Sequence, residues 1–137
     1  MDRILVVEDD VIIAMTIESR LTHLGYQVVG RASTGEDAIN KAAALKPDLV
    51  LMDIHLKGPM DGITAAETVY GLLNIPVVYL TAFSDEKTLE RAHQTSPYGY
   101  LVKPFNDDIL RVTLSMALKK SRAHHHEKQR DELITWD

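Results

Sequence analysis

The chain has 137 residues and a formal net charge of −5, and hydrophobic residues make up 45% and charged residues 26% of it. This balance is typical of one globular domain, and the acidic charge disfavours nucleic-acid binding driven by charge. Cysteine is absent, which excludes disulfides, thiol catalysis and thiolate metal sites. No signal peptide is recognisable and no apolar run approaches the roughly 18 residues of a membrane span. We therefore expect a cytoplasmic protein with no membrane partner.

The predicted elements alternate between strand and helix along the chain. Continuous apolar runs predict buried strands, and apolar residues that recur three or four positions apart predict amphipathic helices. In chain order the predicted elements are a strand at 4–7, a helix at 11–24, a strand at 26–32, a helix from its cap at Ser33 to residue 46, a strand at 49–52, a helix at 63–73, a strand at 77–80, a helix at 85–95, a strand at 98–102 and a helix that begins at 106 or 107.

Local signals mark several helix ends. Gly25 follows the first helix as a stop, and Pro47 ends the second. Ser33, followed three residues later by Glu36, predicts a capping box. The five strand-then-helix units favour an α/β fold, with a parallel sheet covered by helices on both faces.

The chain changes character near its end. Residues 124–132, HHHEKQRDE, contain no apolar residue. We therefore predict one domain over residues 1–120, followed by residues 121–137 as a helical extension or a linker to a following module. Adjacent helical residues point in different directions, so the triplet at 124–126 is better explained as a solvated face than as a metal site.

Chemically distinctive side chains stand where the predicted strands end. They are Glu8, Asp9 and Asp10 after the first strand, Asp53 after the third, Thr81 beside the small Ala82 after the fourth, and Lys103 with Pro104 after the fifth. In a parallel sheet these ends lie along one edge, and in open α/β sheets ligands bind at that edge. Asp10 by itself is adequately explained as the cap of the first helix.

Three carboxylates at one edge require a compensating positive charge. Two like charges about 4 Å apart repel by roughly 4 kcal/mol at an effective dielectric constant of 20, so Glu8, Asp9 and Asp53 call for a cation. Carboxylate oxygens favour Mg²⁺ or Mn²⁺ over zinc. A carboxylate such as Asp53 can also act as a nucleophile and form an acyl phosphate. Lys103 and the Thr81 hydroxyl would then bind the other phosphoryl oxygens.

Four segments of the sequence resemble one known family. The segments ILVVEDD, LVLMDIHLKGPMDG, PVVYLTA and YGYLVKPF occur in the order and spacing of the receiver domain of two-component response regulators, and they span residues 4–105. The resemblance implies a flavodoxin-like sheet with strand order 2-1-3-4-5. It also implies a signalling switch that catalyses its own phosphorylation and dephosphorylation, rather than an enzyme with a free substrate.

The resemblance assigns a role to each acidic residue of the site. Asp53 becomes the phosphoacceptor, which takes a phosphoryl group from a phosphohistidine on a histidine kinase or a phosphotransfer protein. Asp9 becomes a direct ligand of Mg²⁺, and Glu8 acts through water. Asp53 and the backbone carbonyl of His55 complete the metal site.

The resemblance also assigns the switching residues. Lys103 contacts the phosphoryl group, and the Lys103–Pro104 bond is expected to be cis. Thr81 is the switch hydroxyl, and Tyr100 is the switch aromatic whose rotamer changes with it. The loop LKGPMDG is one residue longer than the commonest form and resembles receivers attached to sensor and kinase modules, so a longer parent chain could be a histidine kinase.

Two alternative functions remain at this stage. Phosphohydrolases of the haloacid-dehalogenase type also form an aspartyl phosphate, but they require a second aspartate two residues after the nucleophile, where this chain has His55. A degenerate receiver would signal without phosphate, but Glu8, Asp9 and Lys103 are all in place beside Asp53.

The last helix is too apolar for a helix that buries one face. Its apolar residues cover more than one stripe, and they are Ile109, Leu110, Val112, Leu114, Met116, Ala117 and Leu118. We therefore predict a homodimer through the fourth helix, the fifth strand and the fifth helix, with residues 119 to about 130 helical and protruding.

Overall fold

The computed structural model of the chain describes residues 1–82 and 86–134. The strands are β1 (Arg3–Val7), β2 (Gln27–Ala32), β3 (Leu49–Asp53), β4 (Val77–Ala82) and β5 (Gly99–Lys103). The helices are α1 (Val11–His23), α2 (Gly35–Leu45), α3 (Gly62–Leu73), α4 (Glu86–Gln94) and α5 (Asp107–Ile134). Each strand is followed by a helix, as the alternating pattern predicts.

The five strands form one sheet in the order β2-β1-β3-β4-β5, and every neighbouring pair is parallel. The predicted fold class and strand order are therefore confirmed. All five residues of β3 are buried, because this central strand is covered on both faces. The carboxyl ends of all five strands lie along the same edge, where the predicted site residues are located.

Two apolar clusters fill the space on the two faces of the sheet. On one face the sheet packs against α2 and α3 through buried residues such as Ala38, Ala42 and Val69. On the other face it packs against α1 and α5 through residues such as Leu21 and Leu114. Helix α4 differs from the other helices, because Ala92 is its one buried residue.

The last three strands extend further than the sequence pattern indicates. Pairing continues through Asp53, which lies opposite Leu80, and through Ala82, which lies opposite Lys103. These polar or small residues end the strands, whereas the predicted strands stop at the last apolar residue. Asp53, Thr81 and Lys103 are therefore held by the backbone hydrogen bonds of the sheet rather than by loops.

The cap of α2 is not the residue that the sequence predicts. Thr34 rather than Ser33 occupies the cap position, and its hydroxyl accepts a hydrogen bond from the Asp37 amide at 3.1 Å. Both neighbouring residues carry a hydroxyl suited to capping, so residue type alone does not select between them. Asp10 caps α1 as predicted, accepting hydrogen bonds from the amides of Ile12 and Ile13.

Helix α5 continues well beyond the predicted end of the domain at residue 120, as one helix to Ile134. Ser121 is only 6% exposed, and Arg122 forms an ion pair with Asp2. The ammonium of Lys120 lies 5.2 Å from the centre of the Tyr98 ring. Residues 120–122 therefore pack against the domain, while the division at residue 120 stays a prediction. Of the helices described, none has the length and apolar character to cross a membrane.

Candidate functional site

Three strand ends bring opposite charges into contact. Glu8 follows β1, Asp53 ends β3 and Lys103 ends β5. The Lys103 ammonium lies 3.0 Å from Glu8 Oε2 and 3.1 Å from Asp53 Oδ2. Glu8 is 2% exposed and Asp53 is 5% exposed, so both carboxylates are screened from water and their interaction with Lys103 is strong.

The acidic residues also form a cation-binding arrangement. Glu8, Asp9 and Asp53 each offer one carboxylate oxygen, and these oxygens lie within 4.8 Å of one another. Hard oxygen donors of this kind suit Mg²⁺ or Mn²⁺, which bind through carboxylates and keep water or phosphate oxygens as their other ligands. The residues present therefore fit the predicted metal, with Glu8 and Asp53 buried and Asp9 closer to solvent.

Burial and the neighbouring charges shift two pKa values in this cluster. Burial and the hydrogen bond with Asp53 raise the pKa of Glu8, and Lys103 only partly offsets this effect. Burial by itself would lower the pKa of Lys103, but Glu8 and Asp53 outweigh it and the pKa of Lys103 is raised. Lys103 is therefore positively charged at neutral pH.

The loop after β3 folds back onto Asp53. The His55 amide donates a hydrogen bond to Asp53 Oδ1 at 3.0 Å, and the Gly62 amide donates one to the Ile54 carbonyl at 2.9 Å. A Cβ atom on Gly62 would lie only 1.9 Å from the carbonyl oxygen of Asp53, so the chain fits here only with glycine at position 62. The His55 side chain is exposed at the rim of the site.

Thr81 and Tyr100 line one groove beside the site. Thr81 is buried, and its hydroxyl donates a hydrogen bond to the Ala82 carbonyl at 3.1 Å. The Tyr100 hydroxyl lies 3.5 Å from His93 Nδ1 on α4. Both residues border a groove of about 550 Å³, whose other lining residues are Leu89, Glu90, His93, Gln94 and Val102. The Lys103–Pro104 peptide between the site and α5 is cis.

Two features of the structure have no counterpart in the sequence analysis. Arg91 of α4 forms an ion pair with Asp61 at 3.0 Å, and Asp61 also caps α3. His125 has a buried Nε2 atom without a hydrogen-bond partner. Asp61 before Gly62 could have been read as a helix cap, but its pairing with Arg91 depends on how α4 lies across the sheet. The other two histidines of the triplet are exposed, which agrees with a solvated face.

The family model described as the response regulator receiver domain matches residues 4–115. The chain belongs to this family. Receiver domains are signalling switches of two-component systems, and the family identification confirms the function class that the four sequence segments predict.

Relatives of known sequence agree with this identification. The chain is 38% identical over 120 residues to the transcriptional regulatory protein PdtaR of Mycobacterium tuberculosis, a match that covers 88% of this chain and 58% of PdtaR. It is 29% identical over 136 residues to the sensory transduction protein BceR of Halalkalibacterium halodurans, covering 57% of BceR. The chain thus spans little more than half the length of these two relatives.

Solved structures give the same result. The signal receiver domain of a modulated diguanylate cyclase from Desulfovibrio desulfuricans G20 is similar with a TM-score of 0.86 and 36% identity, over 90% of this chain and 98% of that one. The N-terminal domain of a response regulator/sensory box/GGDEF protein from Carboxydothermus hydrogenoformans is similar with a TM-score of 0.82 and 38% identity, over 90% and 99%.

Proposed function

We propose that this receiver domain accepts a phosphoryl group on Asp53 from a phosphohistidine and changes its surface in response. One observation carries the proposal: a nearly buried aspartate at the end of the central strand lies 3.1 Å from the Lys103 ammonium, and one of its oxygens lies within 4.8 Å of carboxylate oxygens of Glu8 and Asp9. A buried aspartate with a purely structural role needs only one ion-pair or hydrogen-bond partner. An aspartate that receives a phosphoryl group needs both a fixed cation and a place for a metal ion.

The proposed transfer exchanges one bond to phosphorus for another. An Asp53 carboxylate oxygen forms the new bond to phosphorus, while the bond from phosphorus to the donor histidine nitrogen breaks. That nitrogen keeps the bonding electron pair and takes up a proton from solvent. A divalent cation held by Glu8, Asp9, Asp53 and the His55 carbonyl would supply neutralising charge to the phosphoryl oxygens. Lys103 and Thr81 bind those oxygens in the product.

The proposed switch follows from the position of Thr81. Its hydroxyl is bonded to the Ala82 carbonyl, so a phosphoryl oxygen at Asp53 competes for that hydroxyl. When Thr81 turns toward the phosphoryl group, Tyr100 can move into the groove that the two residues share. The result is a change in α4 and β5. Hydrolysis of the aspartyl phosphate by water returns the domain to its unphosphorylated state. The domain therefore catalyses reactions of its own phosphoryl group and acts on no separate substrate.

The phosphodonor partner would be a histidine kinase or a phosphotransfer protein. Support comes from exposed apolar side chains on α1 directly after the acidic residues: Ile12 is 77% exposed, and Val11 and Met15 are exposed as well. An apolar patch beside a phosphoacceptor suits a docking partner that must bring its histidine within reach of Asp53. The domain is proposed to act in the cytoplasm, with no membrane or nucleic-acid partner of its own.

A homodimer through α4, β5 and α5 is also proposed. Ile109, Val112 and Met116 are exposed at spacings of three and four residues, which places them in one stripe along α5. The stripe lies on the β5 side of the helix, because its neighbours Thr113 and Lys120 approach Gly99 and Tyr98. An exposed apolar stripe of this kind suits a second copy of the same surface.

The phosphoacceptor assignment is tested with a small phosphodonor. Incubation of the full chain with acetyl phosphate and Mg²⁺ should add one phosphoryl group that is stable in acid and labile in base, as measured by intact-protein mass. Asp53→Asn should abolish the addition. Asp48→Asn is the matched control, because Asp48 precedes β3 at its opposite end, where its carboxylate accepts a hydrogen bond from the Arg3 amide. Modification that persists in Asp53→Asn would remove Asp53 from this role.

A further inference from the structure

Helix α4 contacts the loop between β3 and α3 through an ion pair. Ala92 is the helix's one buried residue, so apolar packing contributes little to its position. Arg91 Nη1 lies 3.0 Å from Asp61 Oδ2, at the end of the loop that follows β3. The contact therefore joins α4, the helix expected to move, to Asp61, the residue that caps α3.

Asp61 uses its two carboxylate oxygens for two different elements. Oδ1 accepts a hydrogen bond from the Thr64 amide at 2.9 Å and so caps α3. Oδ2 pairs with Arg91. Burial opposes the charged form of Asp61, but the Thr64 amide and Arg91 outweigh it and the pKa of Asp61 is lowered. The carboxylate is therefore ionised at neutral pH and can hold both partners at once.

The residue after Asp61 is in direct contact with the phosphoacceptor strand. Gly62 has room only for a hydrogen atom against the Asp53 carbonyl oxygen, and its amide is bonded to the Ile54 carbonyl. A displacement of Asp61 therefore moves Gly62 against the backbone of Asp53 and Ile54. The same loop contains His55, whose amide is bonded to Asp53 Oδ1.

From these contacts we infer that Arg91 is a positioning residue for the loop between β3 and α3, acting through Asp61, and that it couples the position of α4 to cation binding at Asp53. The coupling to the cation rests on the proposed function; the positioning of the loop does not. The path is distinct from the one through Thr81 and Tyr100, because it runs through the backbone beside Asp53 and reaches α4 from the α3 side.

Loss of the Arg91–Asp61 ion pair should weaken cation binding. If Arg91 restrains the loop, its removal leaves residues 54–61 with more conformations, and a cation that binds the His55 carbonyl must then order them. Cation affinity falls. By reciprocity, cation binding must also strengthen the hold on α4 by the same factor. Because the Arg91–Asp61 pair is partly exposed to solvent, the factor should be modest, about two- to fivefold.

The test compares three variants of the full chain. Arg91→Gln removes the ion pair, and Arg91→Lys retains its charge. Arg111→Gln is the matched control, because it removes a similar exposed ion pair, with Asp108, within α5. Amide exchange of His55, Gly62 and Thr64 is measured without metal or phosphodonor. Mg²⁺ affinity is then measured by titration with magnesium chloride, followed by amide chemical shifts.

The expected result is faster exchange at these three amides in Arg91→Gln by about two- to fivefold, with Mg²⁺ affinity lowered by a similar factor. Arg91→Lys should restore most of both quantities, and Arg111→Gln should change neither. Faster exchange confined to α4, or loop exchange that rises without any change in Mg²⁺ affinity, would overturn the coupling. If the unmodified chain does not bind Mg²⁺, the proposed function fails, and the exchange measurement still decides whether Arg91 positions the loop.

Discussion

Replacing Gly62 with alanine should destabilise the domain far more than the addition of a single methyl group normally does. The added Cβ would lie 1.9 Å from the Asp53 carbonyl oxygen, 2.8 Å from its carbonyl carbon and 2.9 Å from the Ile54 Cα. All three atoms belong to the backbone, so no side-chain rotation can relieve the clash. The start of α3 or the end of β3 must move instead.

The size of the effect follows from the cost of overpacking. Forcing one extra carbon into a filled interior typically costs about 1–3 kcal/mol, and contact with fixed backbone places Gly62→Ala near the upper end. At roughly 4 °C per kcal/mol, a loss of about 3 kcal/mol lowers the melting temperature by about 12 °C. Because the Asp53 backbone is displaced, phosphorylation by acetyl phosphate should slow as well.

The same helix provides the control. Gly71 also lies in α3, but a Cβ atom there would have no neighbour within 4 Å. Gly71→Ala should therefore stabilise the domain by about 0.5–1 kcal/mol, because alanine is the better helix former. Urea unfolding of both variants measures the two free energies. If Gly62→Ala unfolds within about 0.5 kcal/mol of the unmodified chain, the close packing of Gly62 on Asp53 is wrong.

Three further predictions concern the metal, the switch and the dimer. Mg²⁺ should raise the melting temperature by binding the folded state, and Asp9→Ala should remove most of that gain; an unchanged response would exclude Asp9 from the metal site. Phosphorylation should alter amide exchange chiefly in α4 and β5, since α4 has one buried anchor, whereas changes confined to α1 and α2 would contradict the proposed switch. Met116→Glu should shift the chain toward monomer in sedimentation, because Met116 is 66% exposed in the apolar stripe of α5; an unmodified chain that is monomeric with and without phosphodonor would refute the dimer.

The fold was predictable because its signals are local and repeated. Each buried strand is a short apolar run, and each of the first three helices has its own periodicity and a recognisable end. The parallel order of elements then leaves few topologies. The placement of Asp53, Thr81 and Lys103 at one edge of the sheet was predictable for the same reason, since each directly follows an apolar run, while their roles stay predictions.

Contacts between elements that are distant along the chain could not be predicted from the sequence. The Arg91–Asp61 pair depends on the rotation and height of α4, which a helix with one buried residue does not encode in its pattern. The packing of Ser121 depends on where α5 passes the amino-terminal ends of β3 and β4, and the residue type gives no sign of burial. The choice of Thr34 over Ser33 as cap is a competition between two equivalent neighbours that only the path of the chain resolves.

The most direct test of the central claim locates the phosphoryl group chemically. Borohydride reduces an aspartyl phosphate to homoserine, so phosphorylation of the full chain followed by reduction and peptide mass analysis identifies the modified residue. We expect homoserine at position 53 only, and only when Mg²⁺ and phosphodonor are both present. Homoserine at position 9 or 10, or a phosphoryl group on a hydroxyl or imidazole with Asp53 unchanged, would contradict this claim.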